Sequence, residues 1–160
     1  MQLSDIRIND WVLINGEPQQ AVGIQTLGGE RVVALRLFMS DAKFYKPEEA
    51  EPIPLSDELL ENIDVIRVLP QGASNIKRYG FHYKDGKGFF ANEQKLTIWG
   101  HPDGIFEFAA KKTTGDGSRA IYGVINSFND LQHILSDIGV KAEYLRAITN
   151  LTKKDNETEH

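Results

Sequence analysis

Short apolar runs in this chain are separated by dipeptides of turn chemistry: Asn15-Gly16 after WVLI, Gly28-Gly29 between QTL and ERVVALRLF, Asp85-Gly86 inside an aromatic stretch, and Asp103-Gly104 between KLTIW and IFEFAA. Glycine and the Asx residues accept a positive φ with little strain, and two such positions in a row are what the tight turn of a β-hairpin needs. The runs between them are short and rich in β-branched and aromatic residues. A chain punctuated in this way is committed to antiparallel sheet joined by hairpins.

The N-terminal runs, WVLIN at 11–15, QQAVGIQTL at 19–27 and ERVVALRLF at 30–38, predict three short strands forming a curled sheet or small barrel. The opening RINDWVLING resembles the first strand of SH3-like small barrels, a likeness of fold alone. Residues 40–54 carry three prolines and several acids, with Phe44 and Tyr45 as their aromatic anchors, and read as an irregular connection. Ser56 N-caps a short helix, SDELLENI, in which Leu59, Leu60 and Ile63 share a face and Asp57 and Glu58 suit the positive helix end. Strands follow at DVIRVL, IKRYGFHYK, KLTIW, IFEFAA and AIYGVI, whereas KKTTGDGSR at 111–119 holds turn residues and no apolar one and is expected as a mobile loop.

The C-terminal part is helical. Ser127 is an N-cap with Asp130 three positions on, Phe128, Leu131, Ile134, Leu135 and Ile138 trace one stripe, and Gly139 is a left-handed cap. A second helix is expected from Val140 to about Leu151 with Leu145 and Ile148 buried, followed by the polar KKDNETEH, which is expected to fray.

With 160 residues the chain suffices for one domain, or for two small subdomains sharing a core. The absence of cysteine removes disulfides, thiolate catalysis and Cys-ligated metal. No apolar run approaches the roughly 20 residues of a spanning helix. MQLSDIRIND has no signal-peptide core, so no membrane and a cytoplasmic location are expected. The net charge of -5 opposes broad, non-specific DNA binding. That charge is uneven: residues 41–64 hold eight acids against two lysines, and residues 65–101 hold six bases against two acids. The two segments either neutralise one another or leave a local basic face.

Any such face centres on SNIKRYGFHYKDGKGFF at 74–90. Alternation assigns Tyr79, Phe81 and Tyr83 to one face and Arg78, His82 and Lys84 to the other, and a two-residue loop at Asp85-Gly86 pairs Lys84 with Lys87 and Phe81 with Phe90. The ring face carries no charge, which predicts a hairpin facing the core. On the other side Arg78, His82, Lys84, Lys87 and Phe89 are the candidate residues for single-stranded nucleic acid, but a stacking platform needs several rings and the cations together on one exposed face. KGFFAN also departs from the RNA-recognition signature after Lys-Gly-aromatic.

Other chemistry finds less support. DLQHILSDIGVKAEYLRAI has the apolar grammar of a helix-turn-helix, yet Leu135 stands where close helix approach wants alanine, and Lys141, Ala142, Glu143 and Arg146 make a weakly basic reading face. His82, His101, His133 and His160 lack metal-ligand spacing, no glycine loop has P-loop spacing, and GDGS at 115–118 lacks the strand and helix of a nucleophile elbow. No catalytic residue, metal or cofactor is assigned.

Three segments together resemble a family. RINDWVLING at 7–16, PIPLSDELL at 52–60 and INSFNDLQHIL at 125–135 come in the order of the landmarks of small uncharacterised proteins of prophages and mobile elements of Bacteroidetes. Asn9-Asp10 stands where that pattern has glycine-asparagine, Ser56 where it has threonine, and residues 129–134 keep part of its late helix motif. The resemblance implies an accessory protein of a mobile element, places the three segments in one compact unit, and transfers no site residue.

The expected architecture is therefore α+β: an SH3-like β subdomain at 1–52, an antiparallel meander with two C-terminal helices at 53–151, and a flexible tail at 152–160. The expected function is non-enzymatic binding of a protein partner; the alternative is single-stranded nucleic-acid binding through the 76–90 hairpin.

Overall fold

The computed structural model describes residues 1–37, 40–70, 74–81, 95–114 and 117–158. The chain divides into two units, Met1–Pro54 with Ser127–Gln132, and Leu55–Asn126 with His133–His160.

In the first unit β1 (Trp11–Ile14), β2 (Glu17–Leu27) and β3 (Glu30–Arg36) form where the apolar runs predict them. Both connections are two-residue turns with positive φ at each position, Asn15 (51°) and Gly16 (81°), then Gly28 (57°) and Gly29 (82°). That sign at both positions matches the right-handed twist of the flanking strands. Ile6, Val12, Ile14, Ala21, Val33, Leu35 and Ala50 build the core, alternate positions of β1 and β3 facing inward.

Residues 40–54 are more ordered than the prolines suggest. They form β4 (Lys43–Tyr45), a 3-10 turn at Pro47–Glu49 and β5 (Ala50–Glu51), which makes a five-stranded sheet of order β4-β3-β2-β1-β5 in place of the expected three strands. Pro47 serves as the first residue of the 3-10 turn, where a missing N–H leaves no bond unmade.

β5 pairs with Leu13 and Ile14 only, so the β1 edge at Trp11 lacks a strand neighbour on that side. Side chains of the helix segment 128–132 replace it. Gln132 Oε1 accepts from the Trp11 N–H at 3.0 Å, Asn129 Nδ2 donates to the Trp11 carbonyl, and Gln132 Nε2 donates to the Asn9 carbonyl at 3.3 Å. The Phe128 N–H donates to the Ile53 carbonyl at 2.8 Å. These bonds satisfy backbone groups on a side of β1 that β5 does not reach. The parts of the three landmark segments that lie in this unit thus meet at one junction.

The second unit holds α1 (Asp57–Glu61), α2 (Phe128–Asp137) from His133 onward, α3 (Leu145–Thr158), and a sheet of β6 (Ile66–Val68), β7 (Lys77–Phe81), β8 (Lys95–Gly100), β9 (Phe106–Thr114) and β10 (Gly117–Ile125). The strand order β10-β9-β8-β7-β6 is a plain antiparallel meander. One face buries Ile66, Tyr79, Phe81, Leu96, Ile98, Phe106, Phe108, Ala110 and Ile125. α1 packs against β6 and α3. Ser56 Oγ accepts from the Leu59 N–H at 3.2 Å as its N-cap. Gly139, at φ 81°, ends α2 with Val140 N–H bonded to the Leu135 carbonyl at 2.8 Å.

Two further expectations are corrected. The described residues of 111–119 are not a loop: β9 continues to Thr114 and β10 begins at Gly117. Backbone pairing extends the hairpin past the core and needs no apolar side chain to do so. Leu145 is 51% exposed at the first position of α3, and Ala147 joins Ile148 as the buried pair instead. α3 begins after residues 140–144 and continues beyond Leu151.

The protein is α+β, with two antiparallel sheets and three α-helices among the described residues. Among the described residues neither sheet closes, since the end strands of each order do not pair with one another. Among the described residues no helix is long and apolar enough to cross a membrane.

Candidate functional site: an open strand edge

Sequence reasoning singled out the 76–90 hairpin. Tyr79 and Phe81 are buried on the inner face of the second sheet, as the alternation predicts. Tyr79 donates its hydroxyl to Asp57 Oδ1 at the start of α1. Burial, followed by that hydrogen bond and the charges of Asp57 and Glu61, pushes the phenol well above its ordinary value. Arg78 is exposed on β7, and its Nη2 donates to the Pro70 carbonyl at 3.1 Å. His82, Lys84, Lys87 and Phe89, with Tyr83, Phe90 and the Asp85-Gly86 turn, lie outside the described residues.

The register of the second sheet reveals an arrangement that sequence reasoning missed. Directly opposed residues share a face, so Tyr122, Ala109 and Thr97 form one row, and Val124, Glu107, Trp99 and Arg78 form the next. Ala120 and Lys111 form a third. All lie on the face opposite the core. Tyr122 is 76% exposed and Val124 51%, high values for such side chains in a strand. No local window of sequence contains this grouping; only the alternation of AIYGVI hints at it, since Tyr122 and Val124 fall on the face opposite Ile121 and Ile125.

β10 is also an edge. Among the described residues no strand pairs with its other side. The hydrogen-bond phase of the ladder follows from one bond: the His101 N–H donates to the Ile105 carbonyl at 2.9 Å, which makes the next pair, Gly100 with Phe106, a non-hydrogen-bonded one. The backbone groups of Phe106 therefore turn toward β10, and Ile125, Gly123, Ile121 and Arg119 bond to β9. The N–H and C=O groups of Ala120, Tyr122 and Val124 point away from the sheet. Among the described residues no strand takes up these donors and acceptors, which stand at β-ladder spacing.

The inner side of the edge has a gap at Gly123. A Cβ there would lie 3.1 Å from Cε1 of Phe108, so the ring occupies the space a side chain would take. Cations stand at the hairpin end of the edge, Arg119 on the inner face and Lys111 on the outer, both exposed. Glu107 lies beside Val124 at the other end, 3.7 Å from His101 Nε2, a pair that is ionic only when the imidazole is protonated.

The first unit has a groove of about 560 Å³ lined by Met1–Leu3, Glu30, Arg31 and the Lys46–Glu48 turn. Its Lys46 and Glu30 already face one another at 3.8 Å across exposed surface, a pair of little energetic weight. Among the described residues no three His, Asp or Glu side chains are grouped to hold a metal. Compared with known proteins, the chain matches no family model, no curated protein and no solved structure.

Proposed function

We propose that this protein is a non-enzymatic binding protein that recruits a protein partner by adding a strand of that partner to β10. The observation that carries the reading is the nine-residue edge strand with outward backbone groups at Ala120, Tyr122 and Val124 and two exposed apolar side chains beside them. An edge of this kind pairs with a chain that reaches it unless charge, proline or a bulge blocks it, and β10 holds no proline and a single charge, Arg119, at its hairpin end. Main-chain hydrogen bonds supply the attraction and the alternating side chains the selectivity.

The SH3-like reading of residues 1–52 is supported by the order β4-β3-β2-β1-β5 and by the 3-10 turn between β4 and β5. The mobile-element reading is supported at Asn9, whose φ of 79° lies where the family pattern has glycine. An accessory protein acting by recruitment fits both.

A second reading, single-stranded nucleic acid, is favoured by one observation: Trp99 and Tyr122 share the outer face with Arg78 and Lys111, the combination a stacking platform uses. Glu107 in the middle of that face and the net charge of -5 oppose it.

A photo-crosslinking residue substituted for Tyr122 separates the two in extract of the native host. The expected product is a covalent protein adduct, lost in Ala120→Pro, because proline removes one outward N–H while the bonds to β9 stay. A nucleic-acid adduct, or a protein adduct indifferent to Ala120→Pro, overturns the reading.

A further inference from the structure

The chemistry around β10 specifies what kind of segment fits, which deepens the reading above and rests on it. A strand added along this edge faces a different environment in each row. In the rows of Tyr122 and Val124 its outer side chains lie against exposed apolar surface. In the row of Gly123 its inner side chain meets the edge of the Phe108 ring instead of a neighbouring side chain, and in the row of Ile121 it covers a half-buried isoleucine. At the hairpin end the environment changes sign. Arg119 stands on the inner face of β10 itself, directly beside the added strand. Lys111, in the row of Ala120, is two strand spacings or about 10 Å away on the outer face, within reach of two long side chains extended toward each other. No acid lies among the described residues of those two rows.

We infer that the β10 edge takes an extended peptide segment that is acidic where it passes Arg119 and Ala120 and apolar at alternating positions where it passes Tyr122 and Val124. Six main-chain groups, the N–H and C=O of Ala120, Tyr122 and Val124, fix it as a strand. The cations at one end and Glu107 at the other fix its register, because a slip takes the acids away from Arg119 and Lys111 and a reversal sets them beside Glu107.

The test uses the full chain and labelled synthetic peptides: a pair of glutamates joined to alternating valine and threonine, made with the glutamates first and last, and the same peptides with lysine for glutamate. Fluorescence anisotropy at low salt is expected to show one glutamate peptide binding roughly tenfold or more tightly than either lysine peptide. The double variant Lys111→Glu/Arg119→Glu, altered at exposed positions only, is expected to reverse that preference. Ala120→Pro is expected to abolish binding while circular dichroism shows the sheet intact.

Equal binding of the two charge types, binding that survives Ala120→Pro, no saturable binding of any peptide, or tighter binding of a labelled single-stranded oligonucleotide each overturns the inference. Should the Tyr122 crosslink to a protein persist and still depend on Ala120 while the peptides fail, the recruitment reading stands and only the acidic, apolar ligand is wrong.

Discussion

Tyr79 shows how one residue joins the elements of the second unit. Its ring fills the inner face of the sheet between Val68 and Ile98, and its hydroxyl ends on Asp57, the first residue of α1. Alternation in the sequence identified the ring as inward; the acceptor could not be read there, because Asp57 lies 22 residues away and looks like an ordinary N-terminal helix acid. Replacing Tyr79 with phenylalanine keeps the ring and leaves the carboxylate without its donor, an expected loss of about 1–3 kcal/mol in urea unfolding. The pH dependence has a definite sign. The folded phenol is held above its ordinary value, so the stability it contributes is full below about pH 10 and falls as the unfolded phenol ionises above it. Wild type is therefore expected to lose its advantage over Tyr79→Phe progressively as the pH rises above about 10. Parallel stability curves for the two proteins through that range would refute the assignment.

Among the elements, those whose cause is local were legible and those whose cause is distant were not. The turns at Asn15-Gly16 and Gly28-Gly29, the Ser56 and Ser127 caps and the Gly139 stop each depend on a few consecutive residues, and each forms as the sequence predicts. β5, by contrast, is two residues that are strand only because Leu13 and Ile14 lie beside them. The outer part of the β9–β10 hairpin is strand because its backbones pair, whatever the side chains. Leu145 is exposed for a related reason: the expected second helix starts at Val140, whereas residues 140–144 are not helical and α3 begins only at Leu145. The local devices give the sharpest prediction at this scale. Gly139→Ala forces a Cβ into the left-handed region at φ 81° and is expected to destabilise by about 1–2 kcal/mol. Glycine to alanine at Gly23, a residue with no positive φ whose added Cβ meets only Ala34 at 3.8 Å, is expected to cost clearly less in the same thermal unfolding series. An equal loss at the two sites would show that the φ of Gly139 is not what fixes the end of α2.

For the whole molecule, the division of the chain follows neither half of the sequence. The first unit takes its last six residues, Ser127–Gln132, from a helix whose remaining part belongs to the second. Phe128, Leu131, Leu135 and Ile138 are all buried along this single ten-residue helix, the first two belonging to the first unit and the last two to the second. A helix of that length is not stable in water without its packing. Since α2 contributes residues to both units, the two are expected to unfold together. The tryptophans make this measurable, because Trp11 lies in the first unit and Trp99 in the second. In Trp99→Phe the fluorescence of buried Trp11 reports the first unit alone while far-ultraviolet circular dichroism reports the whole chain. The two denaturation curves are expected to coincide, and adding Gln132→Ala, which removes the side-chain acceptor Gln132 Oε1 from the Trp11 N–H, is expected to shift both to lower denaturant by the same amount. A Trp11 transition that separates from the dichroism curve would mean that one unit melts while the other persists, and the amide contacts at Trp11 would then hold the first unit alone.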